Sequence, residues 1–180
     1  MSAAAPFVAV VGWSGSGKTT FLTQVVSELT ARGMRVGLVK HHGHGGSIDV
    51  EGKDTWSYAQ SGACPVVVSS PTEYSVMRQV ERERTLAELL DEIADECDLV
   101  LVEGYRNQVA SGVEFRRVGH RSDPILAPAA LLALVCDDEV QRHAALSGGA
   151  AATFDLDDVG GFANFLESVA RGEHEGSHLL

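Results

Sequence analysis

The stretch VGWSGSGKTT, residues 11–20, decides the fold. Gly12, four intervening residues, then Gly17, Lys18 and Thr19 satisfy every fixed position of a phosphate-binding loop. Such a loop must point several backbone N–H groups at one anion, which requires residues that accept unusual φ angles and allow close approach. Gly12, Gly15 and Gly17 supply both. A helix starting near Lys18 then turns its unsatisfied N–H groups and positive dipole end toward the same anion. The flanks agree: FVAVV (7–11) reads as a buried strand, and TTFLTQVVSELTARG as a helix. In this pattern Lys18 reaches the β- and γ-phosphates and the Thr19 hydroxyl ligates Mg²⁺. Ser14, Ser16 and Thr20 complete the phosphate-binding set with the glycines.

Working outward, 180 residues fit one domain over 1–180, with mobile tails expected at 1–5 and about 172–180. Hydrophobic content of 44% and charged content of 22% are those of a globular domain with a real core. No apolar run approaches the roughly 20 residues that span a bilayer, and the start MSAAAPFVAVVG lacks a basic secretion signal, so the expected location is cytoplasmic, away from membranes. A net charge of -11 argues against nucleic-acid binding, which needs a positive footprint. Positive charge must therefore be local, and the only three lysines, Lys18, Lys40 and Lys53, all fall in the first third of the chain. Cys64, Cys97 and Cys136 lack metal-type spacing and read as buried free thiols beside strands.

Further along, Gly33 suits a left-handed helix stop, and MRVGLVK (34–40) reads as a second strand. A His- and Gly-rich loop, HHGHGGSIDVEGKD, precedes a short helix at 55–60 capped by Asp54. CPVVVSS reads as a third strand. Thr85 and Glu88 form a capping box ahead of LAELLDEIADE, whose apolar spacing is helical. DLVLVEG (98–104) is apolar enough for a central strand buried on both faces. VEFRRV (113–118) alternates like an edge strand, ALLALVCDDE supplies another buried strand, TFDL a short one, and DDVGGFANFLESVARG a closing helix. This alternation predicts an α/β fold of the P-loop type, a mainly parallel doubly wound sheet with its ligand at the C-terminal strand edge.

At that edge Glu103 ends its strand, where an acid would hold Mg²⁺ directly or through water; a hard oxygen suits the ion. Asp98 begins the same strand and belongs at the opposite edge. Gly104 lets the backbone turn close to the γ-phosphate, and Lys40 ends the second strand beside it. His41, His42 and His44 lack a fourth ligand for zinc and read instead as part of a ligand-sensing loop, in which Asp49 and Asp54 orient water or assist the Mg²⁺ site. Arg106, Arg116 and Arg117 are candidates for anion or partner contacts. Asp137 and Asp138 end a strand where a purine would sit; a carboxylate accepts from guanine N1–H and N2–H₂, which favours GTP over ATP. The catalytic set is thus Lys18, Glu103 and Asp49, the metal set Thr19, Glu103 and Asp49, with Lys40 and Asp137 joining the loop in holding nucleotide.

The pieces GWSGSGKTT, LVKHHGH, GKDTWSYAQSGA, DLVLVEGYR and FDLDDVGGFANFL together resemble the molybdopterin-guanine dinucleotide biosynthesis adapter family, MobB, over about residues 7 to 166. The loop alone is shared with many families; Lys-His at strand two, Gly-Lys-Asp at a helix start and Glu-Gly-Tyr-Arg are more selective. The resemblance implies GTP binding with slow Mg²⁺-dependent hydrolysis, on a homodimer that assists the guanylyltransferase attaching GMP to molybdopterin, with molybdopterin or the molybdenum cofactor as a further partner. It also implies that Lys40, His41, Asp49 and Asp54 belong to a loop sensing nucleotide state. The chain departs from the family pattern at Ser47 and Glu51, where Asp and Pro are expected, leaving Asp49 as the retained acid. Two other functions share the scaffold: a small-molecule kinase or ATP-dependent ligase using Lys40 and Lys53 on an acidic substrate, and a non-catalytic switch.

Overall fold

The computed structural model describes residues 5–43, 45–121 and 123–173; most of the expected tails at 1–5 and about 172–180 lies outside them, as does His44. β1 (Phe7–Gly12) leads through the glycine loop into α1 (Lys18–Ala31), and Gly33, φ 89°, reverses the chain after the Arg32 cap. There follow β2 (Val36–Lys40), α2 (Asp54–Gln60), β3 (Val66–Ser69), β4 (Tyr74–Met77), α3 (Leu86–Ile93), β5 (Leu99–Glu103) and β6 (Gly112–Arg116). β7 (Leu131–Cys136), α4 (Glu139–Ser147), β8 (Ala152–Phe154) and α5 (Val159–Ala170) complete the order. His42–Thr85 packs as a unit of its own, and the chain up to His41 and from Leu86 onward as another.

In the larger unit six strands form one sheet in the order β2-β5-β1-β6-β7-β8, every neighbouring pair parallel. The register pairs Lys40 with Glu103, Val10 with both Glu103 and Val113, and Gly12 with Phe115, so the strand ends line one edge. Alternation explains the helices on both faces. Val8, Val10, Leu99, Leu101, Val113 and Phe115 pack on α1 and α5; Phe7, Val100 and Val102 pack with Leu86 and Leu90 of α3; Val11, Leu134 and Cys136 face the α4 side. Phe162 of α5 is fully buried and meets Phe21 at 5.5 Å and Phe154 at 5.2 Å edge-to-face, while Phe21 meets Phe115 at 5.4 Å. Each such pair adds about 0.5–1.5 kcal/mol beyond area burial, tying α1, β6, β8 and α5 together.

Several expectations are corrected. VEFRRV predicts an edge strand, but β6 lies between β1 and β7. Its one charged inward residue, Glu114, is fully buried and internally satisfied, which is why a polar alternation survives at the centre. β3 does not join the parallel sheet; it pairs antiparallel with β4, a strand the exposed, polar run after Ser69 conceals. Asp54 is the first residue of α2 after Lys53 rather than its cap. Cys136 is buried, Cys97 half-buried and Cys64 exposed. α4 is short and has no buried residues, so it lacks the apolar stripe that reveals a helix; Asp138 caps it by accepting from Val140 N–H at 2.9 Å and Gln141 N–H at 3.3 Å.

Candidate nucleotide site at the sheet edge

Between β1 and α1 the chain makes the loop the sequence predicts. Gly12 lies so close to β6 that a Cβ there would stand 2.7 Å from Phe115 O and 3.0 Å from Ser16 Oγ, so only glycine fits. Ser16 is fully buried, while Ser14, Gly15, Thr19 and Thr20 are exposed. Gly17, φ 87°, occupies the cap position of α1, and no side chain caps the helix. A helix start without a side-chain cap has N–H groups available to an anion.

The Lys18 side chain folds back on this loop. Its Nζ donates to Gly12 O at 2.6 Å, Trp13 O at 2.9 Å and Ser16 Oγ at 3.1 Å. Burial holds the ammonium below the ordinary lysine pKa; Glu103 pulls the other way, and Lys40 adds to the lowering. Lys40 Nζ lies 3.2 Å from Glu103 Oε2, and the Glu103 side chain is only 14% exposed. Two ammonium groups and one carboxylate therefore share the strand edge beside the uncapped helix. Asp98 lies at the other end of β5, where its carboxylate accepts from Arg35 N–H at 2.8 Å and from Arg35 Nη2 at 2.6 Å.

A hard divalent ion fits these donors. Mg²⁺ keeps several waters and takes one or two protein oxygens together with substrate phosphates, and Thr19 Oγ1 and the Glu103 carboxylate are oxygens of that class. Among the described residues no three His, Cys, Asp or Glu side chains gather as a metal-binding group.

Two further loops border the site. His41 N–H donates to Glu103 O at 2.9 Å, and the His41 ring lies 4.6 Å from the Tyr105 ring. Tyr105 is held at φ 52°, a left-handed turn directly after Gly104 at φ 98°. Trp13, inside the phosphate loop, meets the guanidinium of Arg106 at 5.4 Å and that of Arg121 at 3.4 Å, and its indole N–H donates to Asp123 O at 2.8 Å. The segment after β6 is anchored by Glu114, which accepts from Arg116 Nε at 2.9 Å and from Ile125 and Leu126 N–H, each at 3.0 Å.

Of the predicted residues, the structure groups the loop, Lys18, Lys40 and Glu103, and sets Arg106 against Trp13 and Arg117 beside Gly17. Asp137 directly follows β7, and its Oδ1 accepts from Val118 N–H at 2.8 Å. Asp49, Lys53 and Asp54 belong to the smaller unit. There Asp49 Oδ1 accepts from Val50 N–H at 2.8 Å, and its Oδ2 is buried without a hydrogen-bond partner. Sequence reasoning overlooks Trp13, Arg121 and Glu114. The signal for Glu114 exists: in a strand, Glu114 and Arg116 two residues apart share a face, so they can pair.

The chain is similar to known proteins along most of its length. The family model described as "Molybdopterin guanine dinucleotide synthesis protein B", MobB, matches residues 7–137. The chain is 33% identical over 168 residues to the molybdopterin-guanine dinucleotide biosynthesis adapter protein of Escherichia coli (strain K12), covering 89% of this chain and 91% of that protein. It is 36% identical over 104 residues to the adapter protein of Haemophilus influenzae, covering 57% and 58%. A crystal structure of molybdopterin-guanine biosynthesis protein B superposes with a TM-score of 0.66 at 28% identity, over 92% of this chain and 99% of that one. With a matching model over most of its length, a similar relative along nearly all of it and the same fold, the chain belongs to the MobB family.

Proposed function

We propose that the protein binds GTP with Mg²⁺ at this strand edge and acts as an adapter in molybdopterin guanine dinucleotide biosynthesis, assisting the guanylyltransferase and hydrolysing GTP slowly. The observation that carries the reading is Lys18 folded onto its own loop beside the uncapped start of α1, with Glu103 and Lys40 at hand. An arriving triphosphate offers Lys18 anionic acceptors in place of two carbonyls and a hydroxyl, adding the attraction of opposite full charges to hydrogen bonds the ammonium already makes. Thr19 and Glu103 would hold Mg²⁺, which neutralises charge on the phosphate oxygens. Lys40, already paired with Glu103, orients that carboxylate. Asp49 is proposed to take part through the loop that senses nucleotide. The whole chain, 1–180, is proposed to act as one nucleotide-binding domain, cytoplasmic and homodimeric; no helix among the described residues is long and apolar enough to cross a membrane.

Calorimetric titration of GTP and ATP, with and without Mg²⁺, followed by identification of products, tests the reading. Wild type should prefer GTP, require Mg²⁺ for tight binding and release GDP slowly. Lys18→Ala should weaken GTP by about 10- to 100-fold, the loss of a hydrogen bond to a charged group worth roughly 1.5–3 kcal/mol. Glu103→Gln should remove most of the Mg²⁺ dependence. Unchanged affinity in Lys18→Ala would overturn the site assignment, and phosphoryl transfer to a small acceptor would favour a kinase.

A further inference from the structure

Trp13 is the bulkiest residue of the glycine loop, and it fills one of the four positions that the loop pattern leaves open. Its side chain is half-buried, and loops from both sides of β1 reach it. β5 and β6 flank β1, so the residues that follow them emerge on either side of Gly12 and Trp13. After β5, Gly104 at φ 98° and Tyr105 at φ 52° turn the chain, the buried Tyr105 packs with Phe7, Leu86 and Val102, and the Arg106 guanidinium arrives 5.4 Å from the indole centroid. After β6, the Arg121 guanidinium lies 3.4 Å from the same centroid, and Asp123 O accepts from the indole N–H at 2.8 Å. Arg121 Nε also donates to Asp123 Oδ2 at 3.0 Å, which joins the two groups that hold the ring.

The segment after β6 also covers the loop at Gly15. A Cβ added there would stand 2.9 Å from His120 Nδ1. Gly119, φ 77°, and the His120 N–H donating to Arg117 O at 3.2 Å make the turn that brings the imidazole to this place. The far end of the segment is fixed by the buried Glu114, through Ile125 and Leu126 N–H. On the inner side, Trp13 O accepts from Ser16 N–H at 3.2 Å and from Lys18 Nζ at 2.9 Å. One residue thus connects an outer brace to the inner curve of the loop.

We infer that Trp13 is a positioning residue for the phosphate loop, braced from outside by Arg106, Arg121 and Asp123 so that the loop keeps its anion-binding curve before a ligand arrives; the inference rests on the phosphate-loop reading above. A loop that presents several N–H groups to one anion loses backbone freedom on binding, and a loop already held in shape loses less. A small residue at position 13 would satisfy the pattern and leave the outer face unheld. Arg121 acts through the indole, and its own charge is shared with Asp123.

Titration of inorganic tripolyphosphate and of GTP, each with Mg²⁺, into wild type, Trp13→Ala, Arg121→Ala and the double variant tests the brace. Salt near 0.15 M screens exposed charges beyond about 8 Å, so a remote effect of the Arg121 charge is small. Trp13→Ala should weaken both ligands about tenfold and in parallel, since the ligand must then order the loop. Arg121→Ala should weaken both about twofold to fivefold, the scale of one exposed cation–π contact. The double variant should bind no more weakly than Trp13→Ala, because Arg121 has lost the ring through which it acts. Arg121 is exposed and Trp13 half-buried, so the variants should fold, and melting curves establish it. Where Trp13→Ala does not fold, Trp13→Phe, which keeps a ring and loses the N–H donor, takes its place with an intermediate loss expected.

Trp13→Ala that binds both ligands within about twofold of wild type overturns the brace. Losses that add in the double variant overturn it too, since Arg121 would then act on the anion by charge alone. A loss confined to GTP would set Trp13 against the nucleoside and equally overturn it. Wild type that binds neither ligand overturns the phosphate-loop reading itself, and the brace falls with it.

Discussion

Lys18 shows how one residue stores a function in its resting contacts. Its ammonium is half-buried and satisfied by oxygens of the loop itself, so the site holds a cation ready without a ligand to stabilise it. At the opposite end of the sheet Asp98 does purely structural work, joining the start of β2 to the start of β5. Its hydrogen bonds from the Arg35 side chain and backbone hold the carboxyl below the usual aspartate value of 3.8. A depressed acid contributes stability above its unfolded pKa and loses it as pH falls through the folded value. Asp98→Asn should therefore unfold at the same urea concentration near pH ~3 as it does near pH ~6, apart from the shift shared by other acids, while wild type loses more over that range. Equal acid sensitivity of the two proteins would show that the pair contributes nothing. The effect should be modest, because both side chains are exposed.

At the scale of elements, legibility tracks burial. β1, β5 and β7 are visible because both faces are covered and their sequences are near-continuous apolar runs. β4 and α4 bury almost nothing, so no periodicity marks them. β6 misleads because Glu114 imitates solvent alternation inside the core. That imitation has a measurable cost if disturbed: the Glu114 side chain is 1% exposed and the Arg116 side chain 13%, so Glu114→Ala strands a buried guanidinium and two amides. Breaking one side of such a pair costs about 3–5 kcal/mol, and Glu114→Gln, which keeps an acceptor, should lose less. Denaturant unfolding checks both; a loss in Glu114→Ala below about 1 kcal/mol, the level of a surface pair, would mean that the segment after β6 is anchored elsewhere. The candidate site divides the same way. Its loop is written in contiguous residues, 12–20, whereas the guanidinium groups that meet Trp13 come from two distant loops, and no local pattern joins Trp13, Arg106 and Arg121.

For the molecule as a whole, charge and parts decide between acting alone and assisting. The net charge is -11, yet Lys18, Lys40, Arg106, Arg117 and Arg121, five of the 14 Lys and Arg residues, lie at or next to the strand-end loops, so that edge carries a local group of cations. That edge holds one glycine loop, with Lys18 and Glu103 beside it, and the proposed site takes one polyphosphate. Guanylyl transfer needs more: a second anionic substrate must be aligned with the α-phosphate, a positioning task worth several kcal/mol of barrier. The proposed adapter therefore should not complete the reaction. Purified protein incubated with GTP, Mg²⁺ and molybdopterin-loaded acceptor should yield no dinucleotide above background, and adding the guanylyltransferase should restore product. In the presence of transferase, Lys18→Ala should remove whatever increment the adapter supplies while leaving the transferase's own rate intact. Efficient product formation without the transferase would make this chain the enzyme, and an increment unchanged by Lys18→Ala would separate its assistance from nucleotide binding.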